Sequence, residues 1–169
     1  METDAVISQL LIAACTYNGA DPARNQHLLK VHNYCRMIAF GEKLDAHTQF
    51  IVEAAAVLHD IGIHEAERIH GSSAGAYQQM EGPAIAREIL ADFPLPESDV
   101  TRICWLIAHH HTYRPIDGID HLILLEADFL VNAYEEPFTT AQILHFYQNI
   151  AATKTGKALL KLHYLPDMD

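Results

Sequence analysis

Apolar residues recur along the chain at intervals of three and four, and no stretch keeps the strict alternation of a half-buried strand. That period predicts a first helix from about Asp4 to Thr16, broken by Asn18, Gly19, Asp21 and Pro22. A second helix is expected from Ala23 to Glu42, with Leu28, Val31, Cys35, Ile38 and Ala39 on one face. A third runs from Ala46 to His59; its stretch FIVEAAAVL is apolar almost all round, as in a central helix covered on every side. The segment from Ile61 to Glu81, Gly62 included, carries scattered Gly and Ser and reads as a long irregular loop with one short turn of helix at most. Pro83 suits the first position of a helix to Asp92. Further helices are expected from Ser98 to Ala108, from Ile119 to Tyr134, after a cap at Thr139 or Thr140, and from Gly156 to Leu162. The expected fold is all-α, one bundle over residues 1–169 around the FIVEAAAVL helix.

Composition narrows the function more than the fold. The chain has 169 residues, 50% of them hydrophobic and 20% charged, which is globular. Its formal net charge of −11 repels a phosphate backbone or an anionic membrane at long range, so neither is an expected partner. A small anionic substrate remains compatible if a bound metal supplies local positive charge. Cys15, Cys35 and Cys104 are odd in number, widely spaced and set in apolar helical contexts; they read as free buried thiols in a reducing compartment. The start, METDAVISQLLIAAC, has acidic residues and no basic ones before its apolar run, unlike a signal peptide, so the expected location is cytoplasmic. The 12 histidines are the unusual feature, since histidine is a frequent metal ligand.

Three sets of polar residues resist a purely structural reading. His59 and Asp60 close the most apolar helix, where a carboxylate is costly to bury unless something neutralises it. A turn started by Asp60, with His59 capping carbonyls, would also explain them. Asp128 sits within LILLEADFLVNAY and needs a partner, for which an arginine or a backbone amide would serve. His109, His110 and His111 end a helix; consecutive residues point about 100° apart, so all three cannot face one site. A solvated helix end is the plainer account of the triplet. Taken together, two histidines and two carboxylates from different helices are what a divalent cation needs.

The stretch AAAVLHDIG resembles the signature of the HD superfamily of metal-dependent phosphohydrolases. The order of that family is an early histidine, the His-Asp pair, then an aspartate in a later apolar helix. HLLKV is similar to the early segment and implies His27 as a ligand beside His59, Asp60 and Asp128. His32 competes with His27, but lies about 140° round the helix from it. The resemblance covers about residues 23–135 as a core, with C-terminal helices over 139–163 packed on it. Some members hold a second metal through later histidines. PAIAREIL and ICWLIAHHH are similar to those segments and imply Glu81, His109 and His110 as the further ligands, although Gly82 stands where the family often has histidine. Ile63 stands where many members have lysine.

The resemblance implies one or two divalent ions (iron, manganese, zinc or magnesium), with Asp60 bridging them and acting in catalysis. Lys30, three positions after His27, is expected either to hold a phosphate group of a small phosphorylated substrate or to be solvated, and His64 and His70 either line the site or face solvent. The reaction it implies is hydrolysis of a phosphomonoester, nucleotide or diphosphate. The alternatives are a di-iron oxygenase of the same superfamily and a metal-stabilised binding domain without turnover. A homodimer is compatible with all three.

Overall fold

The structure is a computed structural model that describes residues 3–166, in which nine α-helices and no strand are found. They are α1 (Thr3–Asn18), α2 (Pro22–Gly41), α3 (Ala46–Leu58), α4 (Ile63–His70), α5 (Gly75–Leu90), α6 (Glu97–His109), α7 (Gly118–Glu135), α8 (Thr140–Asn149) and α9 (Lys154–Tyr164). Caps written into the sequence start several of them. Asp21 accepts from the Arg24 amide ahead of Pro22, Asp45 accepts from His47 and Thr48, and Thr139 forms a reciprocal capping box with Gln142.

Every residue of α3 from Phe50 to Leu58 is buried, Glu53 included. α1, α2, α6 and α7 pack around it, which makes it the axis of the bundle. The predicted face of α2 is the buried one, with Val31, Cys35, Ile38 and Ala39 wholly covered. Glu126 of α7 is also wholly covered; it accepts hydrogen bonds from the Ala152 and Thr153 amides and from the Thr153 hydroxyl, which ties the segment before α9 to the core. The three cysteines are free, Cys35 and Cys104 buried and Cys15 half-buried. None of the described helices is long and apolar enough to cross a membrane.

The segment from Ile61 to Glu81 is not a long loop. It folds as α4 and the first half of α5, separated only by Gly71 to Ala74. α4 buries Ile63 and Ala66, carries Glu65 in its first turn and Arg68 and His70 in its last, and stops at Gly71, whose left-handed φ of 65° suits glycine. Pro83 does not begin α5 but lies inside it. A proline crowds the backbone N–H and the Cβ of the preceding residue, and the preceding residue here is Gly82, which has no Cβ. Gly82 is also a crossing point. A Cβ on it would come within 2.9 Å of Ile107 Cγ2, and one on Gly62 would come within 2.5 Å of the Gly82 nitrogen. The place where a histidine was expected therefore has no room for one.

Candidate metal centre

Four helices bring their ends or midpoints to one spot beneath α3. His59 follows the last residue of α3 and is fully buried. Its Nδ1 donates to the Ala56 carbonyl at 2.7 Å, so Nε2 carries the bare lone pair. His110 repeats this arrangement after the last residue of α6: it too is fully buried, with Nδ1 donating to the Ile107 carbonyl at 2.7 Å. His27, midway along α2, turns Nδ1 to Glu135 Oε2 at 2.7 Å. Each ring is thus fixed through one nitrogen and aims the other inward, the arrangement that orients metal-binding imidazoles.

What these inward nitrogens meet is not a set of donors. His27 Nε2 and His59 Nε2 are 3.1 Å apart. His27 Nε2 lies 3.4 Å from Asp60 Oδ2 and 3.3 Å from Asp128 Oδ1. His59 Nε2 lies 3.5 Å from each of the same two oxygens. When the rings are neutral, two lone-pair nitrogens and two carboxylate oxygens face one another, and a proton or a cation has to come between them. Donors held about 2.1 Å from a zinc-like cation are about 3.4 Å apart at tetrahedral corners and about 3.0 Å apart at adjacent octahedral ones, so the donor set fits such an ion in both size and chemistry. Asn132 donates to Asp128 Oδ1 at 2.9 Å and fixes that carboxylate.

The same demand for positive charge shows in the titration of the groups. Burial pushes His27 down, but Asp128, Asp60 and Glu135 together outweigh it and hold the ring at about 9. His59 is likewise raised, burial being outweighed by Asp60 and Asp128. Burial pushes Asp60 up, but His59, His110 and His27 hold it well below the usual carboxylate range; Asp128, against burial, is held down by His27 and His59.

Asp60 faces two ways. Its Oδ2 looks to His27 and His59, and its Oδ1 lies 3.4 Å from His110 Nε2. On that second side stand His111 and Gln78. Asp60, His110 and His111 offer ligand atoms within 4.8 Å of one another. Gln78 Oε1 accepts from His111 Nε2 at 2.9 Å and lies 3.4 Å from His110 Nε2. Burial, then the neighbouring His110, depresses His111 to about 4, so it is neutral. Its ring lies over Gly75, where a Cβ would come within 2.5 Å of the ring.

His27, His59, Asp60, Asp128 and His110 are therefore brought together, whereas Glu81, His109 and Lys30 are not. His109 is the last residue of α6; its Nδ1 donates back to the Trp105 carbonyl and its ring stacks on Trp105 at 3.9 Å. The helix ends there, and the two residues after it turn inward, so the facing pair is His110 and His111. Glu81 pairs with His70 at 2.8 Å; Gln78, one helical turn earlier on α5, takes the inner position. Lys30 does not line the cavity: it pairs with Glu135, the residue that fixes His27. His32 faces away and bonds Glu53 at 2.9 Å, and His64 bonds Asp21 at 3.0 Å. Gln78, His111, Asn132 and Glu135 were not predicted. His111 alone carried a signal, as the third member of the triplet.

The centre opens into a cavity of about 240 Å³ whose walls include Arg24, Ser73, Gln78, Asn132, Glu135 and Glu136. Among known proteins, the family described as HD domain matches residues 24–146 of this chain. No curated protein and no solved structure matches it.

Proposed function

The chain belongs to the HD domain family, and we propose that it is a metal-dependent phosphohydrolase acting on a small phosphorylated molecule. The observation that carries this reading is the facing of lone-pair nitrogens and carboxylate oxygens at 3.1 to 3.5 Å, at the foot of an open cavity. His27, His59, Asp60 and Asp128 would hold one divalent cation; Asp60 Oδ1, His110, His111 and Gln78 offer places for a second. A divalent cation bound there withdraws charge from a phosphoryl oxygen and lowers the pKa of water.

The protein's own groups do the rest. Asp60 turns one oxygen to each half and so sets their separation. Glu135 holds the His27 ring and is itself held by Lys30, which gives Lys30 an indirect role in place of phosphate binding. Asn132 fixes Asp128. His111, depressed by burial and by His110, resists protonation and so keeps a lone pair for a cation. The acidic cavity lining suits a small substrate whose charge is met locally and not a nucleic acid.

Protein purified without chelator and screened on a panel of phosphoesters tests the proposal. Hydrolysis is expected on at least one substrate, is abolished by chelator, returns with one of iron, manganese, zinc or magnesium, and continues without oxygen. Oxygen consumption coupled to turnover would replace hydrolysis with the oxygenase reading. Silence of the fully loaded protein across the panel would leave a binding domain.

A further inference from the structure

His110 and His111 reach the Asp60 side because α6 stops at His109, and much of that stop is built from outside the helix. The last carbonyls of a helix have no partner within it. Here three consecutive ones are taken by side chains. The Ile107 carbonyl accepts from His110 Nδ1, that of Ala108 from Gln79 Nε2, and that of His109 from His121 Nε2 at 3.0 Å. The His109 carbonyl also accepts from the Thr112 amide at 2.8 Å, which turns the chain at that point.

His121 lies near the start of α7 and is wholly covered, edge-on to the Trp105 ring on which His109 stacks. Asp117, just before α7, gives that helix no side-chain cap; its own amide donates to His121 Nδ1 at 3.1 Å. One imidazole therefore ties the end of α6 to the start of α7 and closes the segment 110–116, which carries His110 and His111. Both bonds need a single tautomer, with Nε2 protonated and Nδ1 bare, and hence a neutral ring. Burial is the largest influence keeping His121 below its ordinary pKa; the His109 ring and Arg102 add to it, and the His109 carbonyl and Asp120 oppose it.

We propose that His121 is a positioning residue for the second cation place: by holding the His109 carbonyl it fixes where α6 ends, and so keeps His110 and His111 turned to Asp60. This rests on the reading of the His110 side as a place for a cation. His121 acts through the backbone and has no part in the reacting bond. His27, His59, Asp60 and Asp128 all lie outside the segment it closes, so the effect belongs to one half of the centre only.

Calorimetric titration of the metal-free protein with Zn²⁺, beside thermal melting of each variant, tests it. His121→Leu removes both bonds. An Asn side chain places its amide at the reach of Nδ1 and a Gln side chain at the reach of Nε2. His121→Asn therefore keeps a partner for the Asp117 amide, and His121→Gln keeps one for the His109 carbonyl. The second, weaker binding event is expected to fall about tenfold in His121→Leu and His121→Asn and to stay within about twofold of wild type in His121→Gln, with the first event unchanged in all three. If His121→Leu does not fold, the Asn and Gln variants carry the same contrast. An unchanged second event in His121→Asn overturns the proposal. So do equal losses in His121→Asn and His121→Gln, or losses at both events that follow the melting temperature, which would make His121 a support of the fold alone. A single event in the wild type overturns the second cation place itself and the role of His121 with it. The readout is cation binding, so silence in the phosphoester panel would sink the reaction and not this assignment.

Discussion

The two sides of Asp60 are built alike and furnished differently. Each is anchored by a fully buried histidine just past a helix end, His59 after α3 and His110 after α6, with Nδ1 given to the carbonyl three residues back. On the His59 side the set is completed by His27 and by a second carboxylate, Asp128, and both of these are themselves held, by Glu135 and Asn132. On the His110 side it is completed by a neutral imidazole and the neutral amide of Gln78, and these bond to each other. Equal scaffolding with unequal charge implies unequal affinity, because ligand charge and prior fixation decide how tightly a hard or borderline cation is held. The first half is a complete donor set, and the second is one a cation must compete to enter.

Mutations can break this contrast at different depths. Asp60→Ala serves both halves and should have the largest effect: metal content near zero by elemental analysis, and activity down about a thousandfold or more, since the rate enhancement rests on the cation. Asp128→Asn should remove the tight ion while leaving the His110 side unaltered. Isothermal titration would show this as loss of the first binding event alone. Gln78→Glu should shrink the difference between halves, since an added carboxylate strengthens the second event by about tenfold. Glu135→Gln leaves His27 in place but weakens its orientation, with a loss of about tenfold in affinity at the first half only. His109→Ala should change neither event, because its ring lies on Trp105.

What was legible in the sequence follows from the kind of signal each part leaves. The stretch FIVEAAAVL announces a covered helix because almost every position is apolar, and Asp60 and Asp128 stand out because carboxylates in such surroundings need compensation. Helical phase separates His27 from His32, the resemblance of HLLKV selects His27, and its ring is the one that faces the centre. α4 was hidden because Gly62, Gly71, Ser72 and Ser73 mark its two ends densely enough to look like one loop, while only Ile63 and Ala66 of its eight residues are buried. From sequence Pro83 reads as a helix start, because its place inside α5 depends on Gly82 lacking a Cβ and on the packing of that glycine against Gly62 and Ile107, and the packing is a tertiary fact. Gln78 left no trace as a site residue, since a neutral amide becomes a ligand candidate only through what it faces. Glu81 stands out as the ligand-type residue nearest Gly82, one helical turn from the Gln78 side chain that faces His110 and His111.

If the two halves differ as their donors do, His27, His59, Asp60 and Asp128 form a cation site stronger than the one beside His110. Titration of metal-free protein with a single divalent ion, followed calorimetrically in wild type and Asp128→Asn, tests it most directly. Two saturable events are expected in the wild type, the first at least about tenfold tighter than the second, and only the weaker one in the variant. Two events of equal affinity, or a tight event that survives Asp128→Asn, would contradict it.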